Sequence, residues 1–113
     1  MPFLTVYTNT ELKDGKKLAE KASALTADVL GKPISYVVAN VIYNPNMAFG
    51  GRSANNGALV ELVSIGLGNK DKLVEALTNL LEAELNIEDV SNINITLNNA
   101  PASQVASGGR TFG

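Results

Sequence analysis

The sequence runs through the same order of patterns twice, and this repeat limits what the chain can fold into. Each copy passes from a short apolar segment to a segment with helical spacing and then to a second apolar segment. The two halves span about 1–57 and 58–113, and each is long enough for a βαβ unit. Few residues are identical between them, so the repeat is one of architecture. We expect a single domain over residues 1–113.

The first half predicts a strand, a helix and a second strand. Phe3–Thr8 is rich in β-branched and aromatic residues, as strands are. Asp14 is a candidate N-cap, and Gly31 and Pro33 predict the helix end. Tyr36–Tyr43 is nearly continuously apolar, which is typical of a central strand covered on both faces. The apolar stripe between the caps consists of Leu18, Ala22, Leu25 and Val29.

The second half repeats this order. Ala58–Ile65 is a strand-like apolar run, and Asn69 is the candidate N-cap of the helix that follows. Asn86 is its expected end. In Asn92–Leu97, isoleucine and leucine alternate with polar residues at the period of a half-buried strand. The helical stripe consists of Leu73, Leu77, Leu80 and Leu81.

Two βαβ units predict an α/β (α+β) fold with a four-stranded mixed sheet. Right-handed crossovers would place both helices on one face of that sheet. The other face would then need a partner, because Tyr36–Tyr43 and Ala58–Ile65 are too apolar for a wet surface. The sequence therefore predicts an oligomer.

Composition excludes several classes of function. The chain has no cysteine and no histidine, which excludes thiolate nucleophiles, serine triads and the usual zinc ligands, and we expect no metal. A net charge of -2 provides no basic field for nucleic acid or an anionic membrane. No apolar run approaches the roughly 18 residues of a membrane span, and the N-terminus lacks a signal-peptide pattern. We expect a cytoplasmic protein, with leaderless secretion left open.

One glycine-rich motif could indicate a cofactor. Gly66-Leu67-Gly68 lies between a predicted strand and a predicted helix, where a dinucleotide fingerprint would lie. Asp71 stands in place of the third glycine of that fingerprint. We therefore interpret the segment as a turn and expect no cofactor.

The N-terminus offers the sharpest chemical signal. Removal of Met1, which is usual before a small residue, would leave Pro2 with a free secondary amine. At the start of an inner strand, apolar surroundings would lower the pKa of that amine below its free value of about 7.7. Such an amine is a usable base near pH 7. The alternative is that Met1 and Pro2 merely begin the chain.

Five segments together resemble the macrophage migration inhibitory factor family of the tautomerase superfamily, over essentially the whole chain. The resemblance implies a homotrimer of duplicated βαβ units. It also implies cofactor-independent keto-enol tautomerisation of phenylpyruvate-like 2-oxo acids. The segments are Met1-Pro2, Leu30-Gly31-Lys32-Pro33, Met47-Ala48-Phe49-Gly50-Gly51, Ser64-Ile65-Gly66 and Thr111-Phe112.

The resemblance assigns the chemistry to three residues. Pro2 falls on the catalytic proline, and Lys32 falls on the lysine that binds the substrate carboxylate. Ile65 falls where the family offers a backbone N–H to the substrate. The simpler interpretation of Lys32 is a solvated cation near a helix C-terminus, and that of Ile65 is a core residue.

Three further residues match the family's pocket, and two positions depart from it. Asn94 falls on an asparagine that reaches into the neighbouring subunit's site, although a polar residue on a wet strand face is the default interpretation. Val105 and Phe112 fall on apolar pocket positions, where packing at a subunit contact is the alternative. Asn92 stands where many animal members have a tyrosine, and Ser107 replaces a tryptophan. Both changes remove aromatic area that would stack on an aryl substrate.

A second function remains open from the sequence. The family includes cytokines, so the trimer could bind a protein partner and retain only weak tautomerase activity. The vertebrate redox motif falls on the cysteine-free segment 57–60, which excludes thiol oxidoreductase activity.

Overall fold

The computed structural model describes residues 1–113, and its elements follow the predicted order with a small hairpin added at the end. The main elements are β1 (Phe3–Thr8), α1 (Gly15–Leu30), β2 (Val38–Tyr43), β3 (Ala58–Ser64), α2 (Lys70–Leu85) and β4 (Ile93–Asn99). The hairpin consists of β5 (Ala106–Ser107) and β6 (Arg110–Thr111). Single turns of 3-10 helix precede β2, β4 and β5, at Ile34–Tyr36, Val90–Asn92 and Ala102–Gln104.

The four long strands form one mixed sheet in the order β2-β1-β3-β4. Within each βαβ unit the strands are parallel, and the two units join through the antiparallel pair β1 and β3. The buried side chains of both helices pack on the same sheet face. The predicted fold class is therefore confirmed. Neither helix is long and apolar enough to cross a membrane.

The prediction of a central strand at Tyr36–Tyr43 is wrong in two respects. The strand begins at Val38, because Ile34–Tyr36 forms a 3-10 turn after Pro33. It also lies at the edge of the sheet, and most of its side chains are exposed or half-buried in the single chain. An apolar run indicates that the strand is buried in the functional protein. It does not show whether a helix of the same chain or another subunit buries it.

The predicted helix caps are confirmed. Asp14 Oδ1 accepts the backbone N–H of Lys17 at 3.0 Å, and Asn69 Oδ1 accepts that of Lys72 at 3.2 Å. Helix α1 ends at Gly31 in the left-handed conformation, with φ of 64°. Such a conformation costs glycine little, and it redirects the chain toward the sheet.

The core lies between the helices and one face of the sheet. Alternate residues of β1 and β3 point into it and meet the leucine stripe of α2. Its most deeply buried apolar members are Leu4, Val6, Val60, Leu62, Leu73, Leu77 and Leu81.

The opposite face of the sheet, here called the open face, carries no helix. The strand register aligns Asn40, Thr5, Glu61 and Thr96 into one polar row across all four strands. Apolar side chains lie on both sides of that row, and Val38 and Leu59 among them are exposed while the others are half-buried. These flanking residues are Val38, Phe3, Val63, Ile42, Tyr7 and Leu59.

Two buried threonines provide a matched test of the core. Thr26 and Thr8 are both 0% exposed, but the Thr26 hydroxyl has no hydrogen-bond partner. The Thr8 hydroxyl donates to Gly57 O at 2.7 Å and accepts the Thr10 N–H at 3.1 Å. Replacement by valine keeps the side-chain outline and removes only the hydroxyl.

We therefore expect Thr26→Val to raise the free energy of unfolding by about 1 kcal/mol and Thr8→Val to lower it by about 1–3 kcal/mol. Urea unfolding at equal protomer concentration measures both changes. Equal effects of the two substitutions would contradict this account of the core.

Candidate active site

Pro2 lies buried at the end of the sheet where β1 begins, here called the Pro2 end. Its carbonyl oxygen accepts the Val38 N–H at 3.0 Å, which fixes it against β2. On the other side β3 runs antiparallel, with Phe3 opposite Val63. The predicted position of Pro2 at the start of an inner strand is confirmed.

Lys32 reaches the same end of the sheet from helix α1. After the left-handed turn at Gly31, the Lys32 N–H donates to Ala27 O at 3.0 Å. The Lys32 ammonium then donates to Ile65 O at 2.8 Å, just beyond the end of β3. This contact joins two of the predicted site residues across 33 positions of sequence.

The electrostatics of the Pro2 end favour a neutral amine. Burial lowers the pKa of the Met1 N-terminal amine from its ordinary value of 8.0, because water no longer solvates the charged form. The positive charge of Lys32 lowers that pKa further. A larger fraction of an amine at this end is therefore in the neutral, proton-accepting form near neutrality than for a free amine, and Lys32 lies close enough to influence it.

Ile65 presents backbone atoms to the same region. Its carbonyl oxygen accepts Lys32, whereas its N–H makes no hydrogen bond within the chain. The half-buried side chain does not belong to the core cluster, so the core interpretation does not account for this residue. A free N–H beside an ammonium group is suited to an anionic or carbonyl oxygen.

The C-terminal segment contributes an aromatic side chain, Phe112, near the site. The Phe112 N–H donates to Val105 O at 3.0 Å and to Ala102 O at 3.2 Å, which returns the chain after the β5–β6 hairpin. The Phe112 ring meets Tyr36 edge to face, with centroids 6.4 Å apart. Tyr36 follows Lys32 closely in sequence, so this pair lies beside the Pro2 end. Val105 is buried beneath the same segment.

Tyr36 is a site residue that the sequence analysis missed. It was interpreted as the first residue of a strand, although it belongs to the 3-10 turn after Pro33. Its ring is 48% exposed. The signal available in the sequence was an aromatic residue in the turn that directly follows Lys32.

Asn92 and Asn94 lie at the opposite end of the sheet. Asn94 pairs with Leu59, which in turn pairs with Tyr7, five residues along β1 from Pro2. At roughly 3.3 Å per strand residue, that separation is about 16 Å. The structure therefore does not bring these two asparagines to the Pro2 of their own chain.

The cavities of the single chain also lie away from Pro2. One of about 90 Å³ lies between the two helices, where Lys21 pairs with Glu84. The other, of about 220 Å³, is lined by Ala54, Asn55, Asn56, Glu88, Asp89 and Asn92. Neither cavity of the single chain is lined by Pro2.

The fold and the placement of Pro2 define a class: duplicated βαβ proteins with the tautomerase fold, in which an N-terminal proline begins an inner strand. Comparison with known proteins gives the family within that class. The sequence model of macrophage migration inhibitory factor matches residues 1–113. The chain belongs to the macrophage migration inhibitory factor family.

Individual relatives agree with this assignment. A macrophage migration inhibitory factor homolog of Brugia malayi is 38% identical over 117 residues, covering 100% of both chains. The structure of the Toxoplasma gondii macrophage migration inhibitory factor superposes with a TM-score of 0.86 at 30% identity, over 97% of this chain and 99% of that one. The homologue from Prochlorococcus marinus gives 0.89 at 28% identity, over 98% and 99%.

The influence of the Lys32 charge on the N-terminal amine predicts a titration effect. In protein that retains Met1, we expect the N-terminal amine to titrate below 8.0. Lys32→Met removes the positive charge and should raise that pKa, but burial is the larger cause and should keep it below 8.0. NMR titration of the labelled amine measures the shift.

Lys16→Met is the matched control, because Lys16 is exposed in the first turn of α1, about 22 Å of helix from Gly31. It removes the same charge and should leave the amine pKa unchanged. A Lys32→Met variant that titrates like the wild type would refute this electrostatic influence.

Proposed function

We propose that this protein is a cofactor-independent tautomerase that interconverts the keto and enol forms of phenylpyruvate-like 2-oxo acids. One observation carries the proposal: the Lys32 ammonium is held on Ile65 O beside the chain's N-terminus, where the amine pKa is lowered. A cation beside an amine whose neutral form is favoured supports the proposal, because the first can bind a carboxylate and the second can accept a proton. The family assignment agrees with it.

In the proposed reaction the Pro2 amine, freed by removal of Met1, acts as the base. It removes a proton from the carbon next to the substrate carbonyl, and the electron pair of that C–H bond moves to form the enol double bond. The C=O π electrons move onto oxygen, the resulting enolate oxygen is protonated, and the protonated Pro2 amine gives up the proton it took, so the net change is the relocation of one proton and one double bond. The reaction needs no oxidant, reductant or further reactant.

The other residues bind and orient the substrate. Lys32 would pair with the substrate carboxylate through a second N–H of its ammonium while still donating to Ile65 O. The free Ile65 N–H would donate to a substrate oxygen. Tyr36 and Phe112 would contact the aryl group, partly compensating for the aromatic area absent at Asn92 and Ser107.

We further propose a homotrimer, because the single chain leaves both its open face and its site incomplete. The flanking apolar residues of the open face need cover. Neighbouring subunits would supply it, and the far end of one sheet would then bring Asn94 and Asn92 to the next subunit's Pro2.

The base is tested with processed protein whose loss of Met1 is verified by intact mass. Pro2→Gly replaces the rigid secondary amine with a mobile primary amine, and the loss of a well-placed base should lower kcat for phenylpyruvate tautomerisation by about 100-fold. The wild-type rate should fall as the pH drops below a pKa lower than that of a free amine, because protonation removes the base. A rate that is flat from about pH 5 to 8 would contradict this role.

The same assay separates binding from proton transfer. Lys32→Ala should raise KM by roughly 10-fold or more, since a hydrogen bond to a charged group is lost. It should also shift the acid limb to higher pH, because the Lys32 charge no longer lowers the amine pKa. Lys16→Ala is the control, and an unchanged KM in Lys32→Ala would count against the carboxylate-binding role.

Assembly is tested by light scattering. We expect three times the chain mass of 11.9 kDa for the wild type. Leu59→Glu adds a charge to the apolar surface of the open face and should shift the mass toward the monomer at low concentration. Lys72→Glu, on exposed helix surface, should not. A wild-type mass near 11.9 kDa would refute the trimer.

Protein binding by a trimer of this kind is the second candidate function. The names of the relatives favour it, since they describe macrophage migration inhibitory factor homologues. Processed wild type that forms trimers but turns over no 2-oxo acid would make this candidate the leading one.

A further inference from the structure

Asn99 lies at the end of β4 and supports the site without facing it. Its Oδ1 accepts the Gly66 N–H at 3.0 Å. Beyond Asn99, one more backbone hydrogen bond joins this segment to β3, from the Ala100 N–H to Ser64 O at 2.9 Å. Pro101 then follows without an N–H, and the chain turns into the Ala102–Gln104 segment. The Asn99 side chain therefore supplies an acceptor that the β4 backbone does not offer to Gly66.

The peptide unit between Ile65 and Gly66 is held at both of its polar atoms. Its carbonyl oxygen, on Ile65, accepts the Lys32 ammonium at 2.8 Å. Its N–H, on Gly66, donates to Asn99. The C=O and N–H of a trans peptide point in opposite directions. Lys32 and Asn99 consequently hold the same peptide plane from opposite sides.

The neighbouring bonds define the direction in which the site atoms point. Ser64 O faces β4 through its bond with Ala100, so the N–H of the same peptide, on Ile65, faces away from β4. The Ser64 hydroxyl, 0% exposed, donates to Gly66 O at 2.9 Å and closes the turn. Ile65 thus presents both its N–H and its C=O toward Lys32.

This peptide needs restraint because glycine follows it. Gly66 has a φ of 79°, and no heavy atom other than Lys32 Nζ, at 4.0 Å, comes within 4 Å of the position a Cβ would take. Glycine adopts positive and negative φ about equally readily. Without an acceptor for its N–H, the peptide could rotate and turn Ile65 O away from Lys32.

We propose that Asn99 is a positioning residue, which holds the Ile65–Gly66 peptide so that Lys32 and the Ile65 N–H stay aligned for the substrate carboxylate and carbonyl. The inference deepens the proposed tautomerase function, and its expected effect on KM rests on that function. The expected restraint of the Ile65–Gly66 peptide does not depend on turnover. Asn99 itself touches no reacting atom.

The test compares Asn99→Ala with Asn99→Asp, which keeps an acceptor oxygen at the same position. Asn98→Ala is the matched control, because Asn98 is exposed and its side chain makes no hydrogen bond within the chain. All variants are made in processed protein and assayed with phenylpyruvate. Amide hydrogen exchange of Gly66 is measured by NMR in the same samples.

In Asn99→Ala we expect exchange at Gly66 to speed up about ten-fold and KM to rise about five-fold, the scale of one neutral hydrogen bond, with a smaller change in kcat. Asn99→Asp should restore the Gly66 exchange rate, while its added negative charge near Lys32 keeps KM above the wild-type value, and Asn98→Ala should change neither. A general loss of structure in Asn99→Ala would instead speed exchange throughout the sheet and lower kcat.

Three outcomes are decisive. Wild-type exchange at Gly66 in Asn99→Ala overturns the inference, and so does faster Gly66 exchange that Asn99→Asp fails to reverse. If the processed wild type turns over no phenylpyruvate, the proposed function fails. Faster Gly66 exchange in Asn99→Ala, reversed in Asn99→Asp, would then still support the positioning role.

Discussion

The site depends on the pairing of β1 with strands on both sides. Because β2 and β3 flank it, the residue that precedes β1 is buried and fixed by the Val38 N–H. The same arrangement brings the end of β3, with its Ile65 backbone, and the end of α1, with Lys32, to one place. An N-terminus at an edge strand would be solvated and would keep an ordinary pKa.

The lowered pKa of the N-terminal amine follows from burial and from one charge, that of Lys32. Desolvation lowers the pKa of the N-terminal amine and so favours its neutral form, and the Lys32 charge adds to that effect. Lys32 is itself held by a backbone carbonyl rather than by a carboxylate. A carboxylate partner would neutralise the cation and compete directly with a substrate carboxylate. The site therefore keeps a net positive character on a chain whose overall charge is -2.

The sequence predicts local elements well and distant contacts poorly. Asp14, Gly31 and Asn69 mark the helix ends because capping acts over a few residues. The edge position of β2 could not be predicted, since an apolar run does not reveal what covers it. Asn99 carries no sequence signal either, because its importance arises from a contact 33 positions away. The resemblance named Pro2 and Lys32, but only the structure places Lys32 on Ile65.

The central claim is that the free secondary amine of Pro2 is the base. The most direct measurement compares tautomerase activity of processed protein with that of the same chain carrying one extra alanine before Pro2, with both masses and both oligomeric states verified. The extension turns the amine into an amide while leaving every side chain in place. The account predicts turnover in the processed protein and its loss in the extended one. Equal turnover in both would contradict it.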